Sequence, residues 1–239
     1  MNMNEFARNI SEKILNIRTE EKKLVDFINS IDLSKEQRIL DVGCGYGKNL
    51  NVLRSSGFKV IGVDINQEII DANNKTGIDC INEGQFKQDA DLYDVILMSH
   101  IIEHFPPSAL VKFMDAYLDR LEMGGYLIIA TPLITHYFYD DFDHVKPYYP
   151  AGINMVFGGK NDQVQYYSRN KIELIDIWFR RGPFTIKYFP GFYVSKDYSR
   201  FPVILNYLLA LFFKMSFGVL GRTNGWMGLY RKVPALTKK

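Results

Sequence analysis

The sequence predicts an α/β protein, a doubly wound and mostly parallel sheet of seven strands with helices on both faces. Three observations carry that expectation. Short runs of Val, Ile and Leu alternate with segments of helical periodicity through residues 38–132, and strands alternating with helices at this spacing build parallel sheets through right-handed crossovers. The run LYDVILMS is unbroken from Val95 to Met98, as in a strand buried on both faces. The first run ends in Asp41-Val42-Gly43-Cys44-Gly45-Tyr46-Gly47, a strand-to-helix turn whose glycines let the backbone come against a ligand.

Taken in order, residues 4–30 place Ile10, Ile14, Ile17, Leu24, Val25 and Ile28 at mostly helical spacing, which predicts one or two leading helices covering the sheet. RILDV is the first strand. KNLNVLRSSG follows as a helix that Gly57 can close. FKVIGVD is the second strand, NQEIIDANNK a short helix and GIDCI a weaker third strand. After the fourth strand, Pro106 and Pro107 open a helix whose stripe runs from Leu110 to Leu121, with Gly124 and Gly125 ending it. GGYLIIATP is the fifth strand. Residues 133–167 then lose all period and are rich in Tyr, Phe, Asp and Gly, which predicts an inserted lobe of functional importance. SRNKIELIDIWFRRG reads as a helix capped by Ser168, with Ile172, Ile175 and Phe179 on one face. PFTIKYFP and GWMGLYRKV read as the last two strands, and the whole chain, 1–239, as one domain.

Composition narrows the function classes. At 239 residues, 47% hydrophobic and 23% charged, the chain is neither disordered nor fibrous. A formal net charge of +2 is too small for a protein that neutralises many phosphates, so nucleic acid is not expected as a partner. The balance hides an asymmetry: from Lys160 onward 14 Lys and Arg face 4 Asp and Glu, a net +10 that leaves −8 on residues 1–159. Cys44 and Cys80 are far apart in sequence and sit in no Cys/His ligand spacing, so neither a disulfide framework nor a metal site is expected. The N-terminus has no apolar run behind a basic start, which leads to the expectation of a cytoplasmic protein.

The glycine turn selects its guest. A dinucleotide fingerprint beginning at Gly43 and Gly45 requires glycine at 48, where the chain has Lys48. The pattern that fits is Asp-x-Gly-x-Gly-x-Gly, whose acid, Asp41, faces a ligand with a positive amino group and repels a pyrophosphate. With ILDVGCGYG, VIGVDIN, LYDVILMSHIIEHF and LEMGGYLIIATP in that order over residues 35–135, the chain resembles the class I S-adenosylmethionine-dependent methyltransferases. The resemblance implies a Rossmann-like sheet with an antiparallel last strand and S-adenosylmethionine as methyl donor, S-adenosylhomocysteine being the product. It places Gly43, Cys44, Gly45 and Gly47 along the methionine moiety and Asp41 by its ammonium. A turn-stabilising cap is the alternative for Asp41. Asp64, at the end of the second strand, accepts from the ribose hydroxyls. Ile65 packs on the adenine or in the core. Asn82 and Glu83 are candidates for the adenine amino group. Ser99 and His100 lie over the methionine end, with a structural cap as the alternative for His100.

Methyl transfer to a hydroxyl needs a proton acceptor. His144 in DFDHVKPYY is the first candidate, with Asp143 as its orienter, and His104 beside Glu103 is the second; a surface histidine and a structural pair are the respective alternatives. No metal is expected. His136 among Tyr137, Phe138 and Tyr139 is read as pocket lining. The favoured acceptor is a hydroxyl of a saccharide, a lipid-linked intermediate or a natural product, the alternative being a quinone-type or other small aromatic molecule; a non-catalytic cofactor-binding protein is the competing class. The apolar run 201–221 is broken by Pro202, Asn206 and Lys214. Two readings of it stay open: a helix packed on the core, or one lying on the inner face of a membrane with Lys196, Arg200, Lys214 and Arg222 near anionic head groups.

Overall fold

The structure, a computed structural model, describes residues 19–31, 33–34, 36–159, 164–194 and 200–235. Ile10, Ile14 and Ile17, expected in a leading helix, lie outside them, as does Lys196. The described residues form two compact units, one of Glu20–Trp178 with 226–235 and one of Thr19 with Phe179–Gly225.

The larger unit is built on the sheet. Its elements are α1 (Glu20–Ser30), β1 (Arg38–Val42), α2 (Lys48–Ser55), β2 (Lys59–Asp64), α3 (Gln67–Lys75), β3 (Cys80–Asn82), α4 (Glu83–Gln88), β4 (Tyr93–Ser99), α5 (Pro107–Leu118), β5 (Leu121–Pro132) and α6 (Pro150–Phe157). β6 (Lys171–Gly182) and β7 (Arg222–Val233) complete seven strands in the order β3-β2-β1-β4-β5-β7-β6. The pairs β3·β2, β2·β1, β1·β4 and β4·β5 are parallel, and β5-β7-β6 is antiparallel. The chain order reverses between β1 and β4, which is where open α/β sheets bind ligands, outside the carboxyl ends of the strands.

The central strands alternate between two apolar layers. Leu40, Val42, Ile96, Met98, Leu127 and Ile129 meet α5 through Leu110, Met114 and Leu118, and meet α6 through Ile153 and Phe157. Ile39, Val95, Leu97, Ile128 and Ala130 meet Leu24, Phe27 and Ile28 of α1 on the other face. A strand with no polar face can exist only between two such layers.

Four elements depart from the expectations. The segment read as a helix from Ser168 is strand β6. Its Ile172, Ile175, Ile177, Trp178 and Phe179 are β-branched or aromatic, and that preference prevailed over a three- and four-residue spacing. The Ser168 hydroxyl caps no helix: it donates to Asp115 of α5 and accepts from the Asn170 N–H at 2.9 Å. PFTIKYFP is not a strand, so the sixth strand comes earlier in the chain than expected. Gly124 and Gly125 lie within β5, where the register jumps between Tyr93↔Leu121 and Val95↔Tyr126 and Gly124 has φ 83°. The lobe after β5 contains helix α6, opened by Pro150. Trp226 Nε1 donates to the Tyr148 carbonyl at 2.8 Å, and the Tyr148 hydroxyl donates to the Phe105 carbonyl at 2.9 Å. In the smaller unit, helix α7 spans Phe201–Met215.

Candidate active site

The glycine turn begins with an acid that has no partner. Asp41 is 1% exposed near the end of β1, and neither carboxylate oxygen has a hydrogen bond among the described residues. Burial, and after it the nearby Cys80 and Asp64, push its pKa up to about 8. A carboxylate kept out of water without a donor is costly, and it is not a turn cap. A positive amino group is the donor this position lacks. Just beyond, Gly43, Gly45 and Gly47 take φ of 69°, 51° and 74°. A Cβ at Gly45 would meet nothing within 4 Å, whereas one at Gly43 would come 2.8 Å from Ile101. The turn is therefore open in front and tight behind, and the residues present fit a cofactor of the expected kind.

β2 delivers Asp64 to the same place. Its Oδ2 accepts from the Gly45 N–H at 3.0 Å and its Oδ1 from the Asn66 N–H at 2.9 Å. Each oxygen keeps a lone pair for a ligand hydroxyl. Ile65, next to it, is 89% exposed, which removes the core reading and leaves an apolar surface beside Asp64. Asn82 caps α4 in a reciprocal box with Gln85, and Glu83 is exposed in its first turn with Lys87 as partner at 3.0 Å. Sequence reasoning missed Asn73. It is 3% exposed on α3, and its Nδ2 donates to the Gly45 carbonyl at 2.8 Å. Its signal was an amide three residues after the buried Ile70, on the face that should be apolar.

Cys44 and Cys80, distant in sequence, are brought together behind this turn with sulfurs 3.2 Å apart, both unoxidised. The contact with Cys80, and after it burial, push the Cys44 thiol up and disfavour its thiolate. They help shape the turn from the rear.

β4 ends at Ser99, half-buried, and the chain then turns through His100, φ 56°. His100 Nε2 lies 2.9 Å from Glu20, and its Nδ1 lies 3.4 Å from Glu103. Burial works against its charge, but Glu103 and Glu20 outweigh burial and hold its pKa up at about 9. Protonated at neutral pH, His100 cannot act as a base, and it braces the β4 turn against α1. Glu103 is fully buried, and its second oxygen accepts from Thr131 at 3.0 Å.

The two candidate bases meet beyond it. The rings of His104 and His144 are 5.1 Å apart. His104 Nδ1 faces the Asp143 carbonyl at 3.1 Å, and His144 Nδ1 faces the Phe138 carbonyl at 2.7 Å. Donation to a carbonyl places each proton on Nδ1 and leaves the Nε2 lone pair to accept. The assignment of Asp143 as orienter is corrected here, because only its backbone carbonyl takes part, and toward His104. The acid beside His144 is Asp141, 3.6 Å from Nε2. The Phe138 carbonyl is the true orienter of His144, and nothing in the residue types of the lobe announces a main-chain acceptor. Glu103, His104 and His144 offer donor atoms within 4.8 Å of one another. His136 is exposed, its ring 6.4 Å from that of Tyr137.

A cavity of about 540 Å³ lies elsewhere. It opens at the amino ends of β1 and β2 between Arg38, Leu50, Arg54 and Lys59, opposite the end where the glycine turn lies. The turn, with its orphaned acid and its imidazole pair, is the better candidate, since it carries chemistry as well as space.

A parallel sheet that reverses its order beside a glycine turn with two acids, and ends in an antiparallel pair, defines a methyltransferase-type α/β domain. The family model of a methyltransferase domain matches residues 12–179, and the chain belongs to that family. Ubiquinone biosynthesis O-methyltransferase from Hydrogenovibrio crunogenus is 25% identical over 116 residues, 45% of this chain and 47% of that protein. The enzyme of the same name from Coxiella burnetii is 31% identical over 106 residues, 41% of this chain and 44% of that protein. The chain thus matches about half the length of these curated relatives. A SAM-dependent methyltransferase from Archaeoglobus fulgidus superposes with a TM-score of 0.54 at 20% identity, covering 93% of this chain and 98% of that one. Magnesium protoporphyrin IX methyltransferase from Synechocystis, solved with bound SAM, gives 0.51 at 12% identity over 97% and 84%. These likenesses extend the common fold through the last two strands.

Proposed function

We propose that the protein is an S-adenosylmethionine-dependent O-methyltransferase acting on a hydroxyl of a small molecule. The observation that carries this reading is Asp41, a buried and unpartnered carboxylate two residues before an open glycine turn. S-adenosylmethionine, when bound, supplies a methyl group activated by a sulfonium. Asp41 accepts from the ammonium of the cofactor, Asp64 from its ribose hydroxyls, and the backbone of Gly43–Gly47 lies against the methionine moiety. Ile65 offers its exposed side chain to the base, and Asn82 and Glu83 the adjoining polar edge. Methyl transfer of this kind asks the protein mainly to align donor and acceptor and to keep water out.

The acceptor hydroxyl loses a proton as the new bond forms. His144 takes it in this reading, with His104 as neighbour and alternate. Removing a general base costs ~10²–10⁴ in rate. His144→Ala is therefore expected to lower turnover by that range and leave S-adenosylhomocysteine affinity in titration calorimetry unchanged, whereas Asp64→Ala abolishes most of that affinity. Wild-type turnover in the His144 variant, with loss in His104→Ala, moves the base to His104. A base role also predicts that turnover survives dialysis against EDTA. Loss restored by a divalent ion would recast Glu103, His104 and His144 as metal ligands.

The acceptor is the finer question. The O-methyltransferases of ubiquinone biosynthesis, matched over about half their length, weigh toward the quinone-type aromatic alternative rather than the saccharide. Tyr137, Tyr139, Tyr149 and Phe142 in the lobe after β5 suit a planar ring. A lipid-linked acceptor is compatible with both. Turnover of a catechol or hydroquinone in preference to a sugar hydroxyl supports the aromatic reading, and the opposite preference overturns it. Binding without turnover on either class would leave a cofactor-binding protein.

A further inference from the structure

Helix α7 turns an apolar face to solvent. Around its axis the half-buried Leu205, Asn206, Leu209 and Phe213 share one side with the buried Pro202. The opposite half turn is exposed and carries Ile204, Tyr207, Leu208, Leu211, Phe212 and Met215, with Tyr207 71% and Met215 65% exposed. The helix cannot roll to hide this face. Asn206 exchanges two hydrogen bonds with the Ile186 backbone, each 2.7 Å, on the inner side. Phe213 lies directly under Gly221, where a Cβ would approach it to 2.5 Å. Arg181 ties the turn that follows by donating to the Gly218 and Gly221 carbonyls. Val219 and Leu220 in that turn extend the exposed patch at 63% and 54%. Contiguous apolar surface on this scale marks an interaction site.

Length and charge indicate what covers it. Fifteen residues make a helix of about 22 Å, too short for a hydrocarbon core of ~30 Å, and no helix among the described residues is long and apolar enough to cross a membrane. Residues 179–225 contain seven Lys and Arg and one acid, Asp197. Arg200 stands exposed at the start of α7, and Lys214 stands exposed at the edge of the apolar face. Tyr207 and Tyr193, 66% exposed, have the mixed character of side chains that settle at head-group level. A second copy of the chain would set this basic rim against itself, whereas an anionic surface neutralises it.

We infer that α7 is an interfacial helix that docks the protein on anionic phospholipid, its outward face lying at the boundary between head groups and acyl chains. The inference is independent of the catalytic reading. The test is co-sedimentation of the full chain with vesicles of phosphatidylcholine, with and without phosphatidylglycerol. The wild type is expected to pellet with the anionic vesicles, far less with the neutral ones, and less as salt is raised. Leu208→Glu combined with Leu211→Glu, both outward positions, should reduce partitioning roughly a hundredfold, the weight of two leucines withdrawn from an apolar phase. Its S-adenosylhomocysteine affinity and circular dichroism should stay unchanged. If that variant does not fold, Lys214→Glu serves instead and should remove the preference for anionic vesicles. A wild type that stays in the supernatant overturns the inference, as does a folded variant that pellets like the wild type. A wild-type dimer in sedimentation velocity that the variant splits, without vesicle binding, assigns the face to a second copy.

Discussion

Asp41 shows how one residue links stability to binding. Its pKa is held at about 8 in the folded protein by burial and by the charges of Cys80 and Asp64, against ~3.9 for an unfolded chain. Between those values the folded state keeps a proton that the unfolded state has released, so Asp41 costs stability progressively as pH rises from about 4 to 8. The cofactor-free protein should therefore show a melting temperature that falls across that window, and Asp41→Asn should flatten that part of the profile. The same acid must ionise to meet an ammonium. Affinity for S-adenosylhomocysteine should rise with pH toward 8, by at most tenfold per pH unit because one proton is released. A pH-independent affinity equal to that of Asp41→Asn would remove Asp41 from the cofactor site. His100 has the opposite sign. Its ion pairs with Glu20 and Glu103 raise its pKa to about 9, so what it contributes to stability is present at low and neutral pH and is lost as pH rises through that value.

At the scale of elements, the lobe after β5 is held by a short relay. Trp226 Nε1 donates to the Tyr148 carbonyl, and the Tyr148 hydroxyl donates to the Phe105 carbonyl. Both side chains are buried in the layer shared with α5 and α6. Trp226→Phe leaves the Tyr148 carbonyl buried without its donor and trims the ring, which costs ~1–3 kcal/mol from the lost partner alone. The variant should melt lower in calorimetry and lose amide protection first in residues 144–157, with β1 and β4 unaffected. The candidate base His144 sits at the start of that segment, so turnover should fall more than cofactor affinity. Equal loss of protection throughout the sheet would mean that the lobe has no separate anchor. The strands themselves were legible because β1, β2 and β4 are short runs rich in Val, Ile and Leu. β6 was not. Its Ile172, Ile175 and Phe179 satisfy a helical spacing, and only pairing in the sheet decides that the segment is extended.

For the whole molecule, a cofactor that binds only the folded state raises its stability by mass action, ~2.7 kcal/mol at a hundredfold excess over Kd. S-adenosylhomocysteine should accordingly raise the melting temperature in a concentration-dependent way and NADH should not, since Lys48 breaks the dinucleotide pattern. A shift with NADH instead would overturn the family's cofactor for this chain.

The sequence by itself determined the sheet, its glycine turn and the acids at its edge. Those features are local: apolar runs long enough to demand burial on both faces, glycines where φ must be positive, and Asp41 and Asp64 each at the end of a readable strand. Tertiary structure alone decided the rest, because it depends on groups far apart in the chain. The meeting of Cys44 with Cys80, of Asn73 with the Gly45 carbonyl, and of His104 with His144 is produced by strand order. The orientation of His144 by a main-chain carbonyl, rather than by Asp143, follows from the path of the lobe. The choice between an inward and an outward face for α7 was likewise open in its sequence, since Leu, Ile and Phe occur all round the helix. Asn206 and Phe213 settled it by pinning one side down, leaving the other to whatever apolar surface the protein meets.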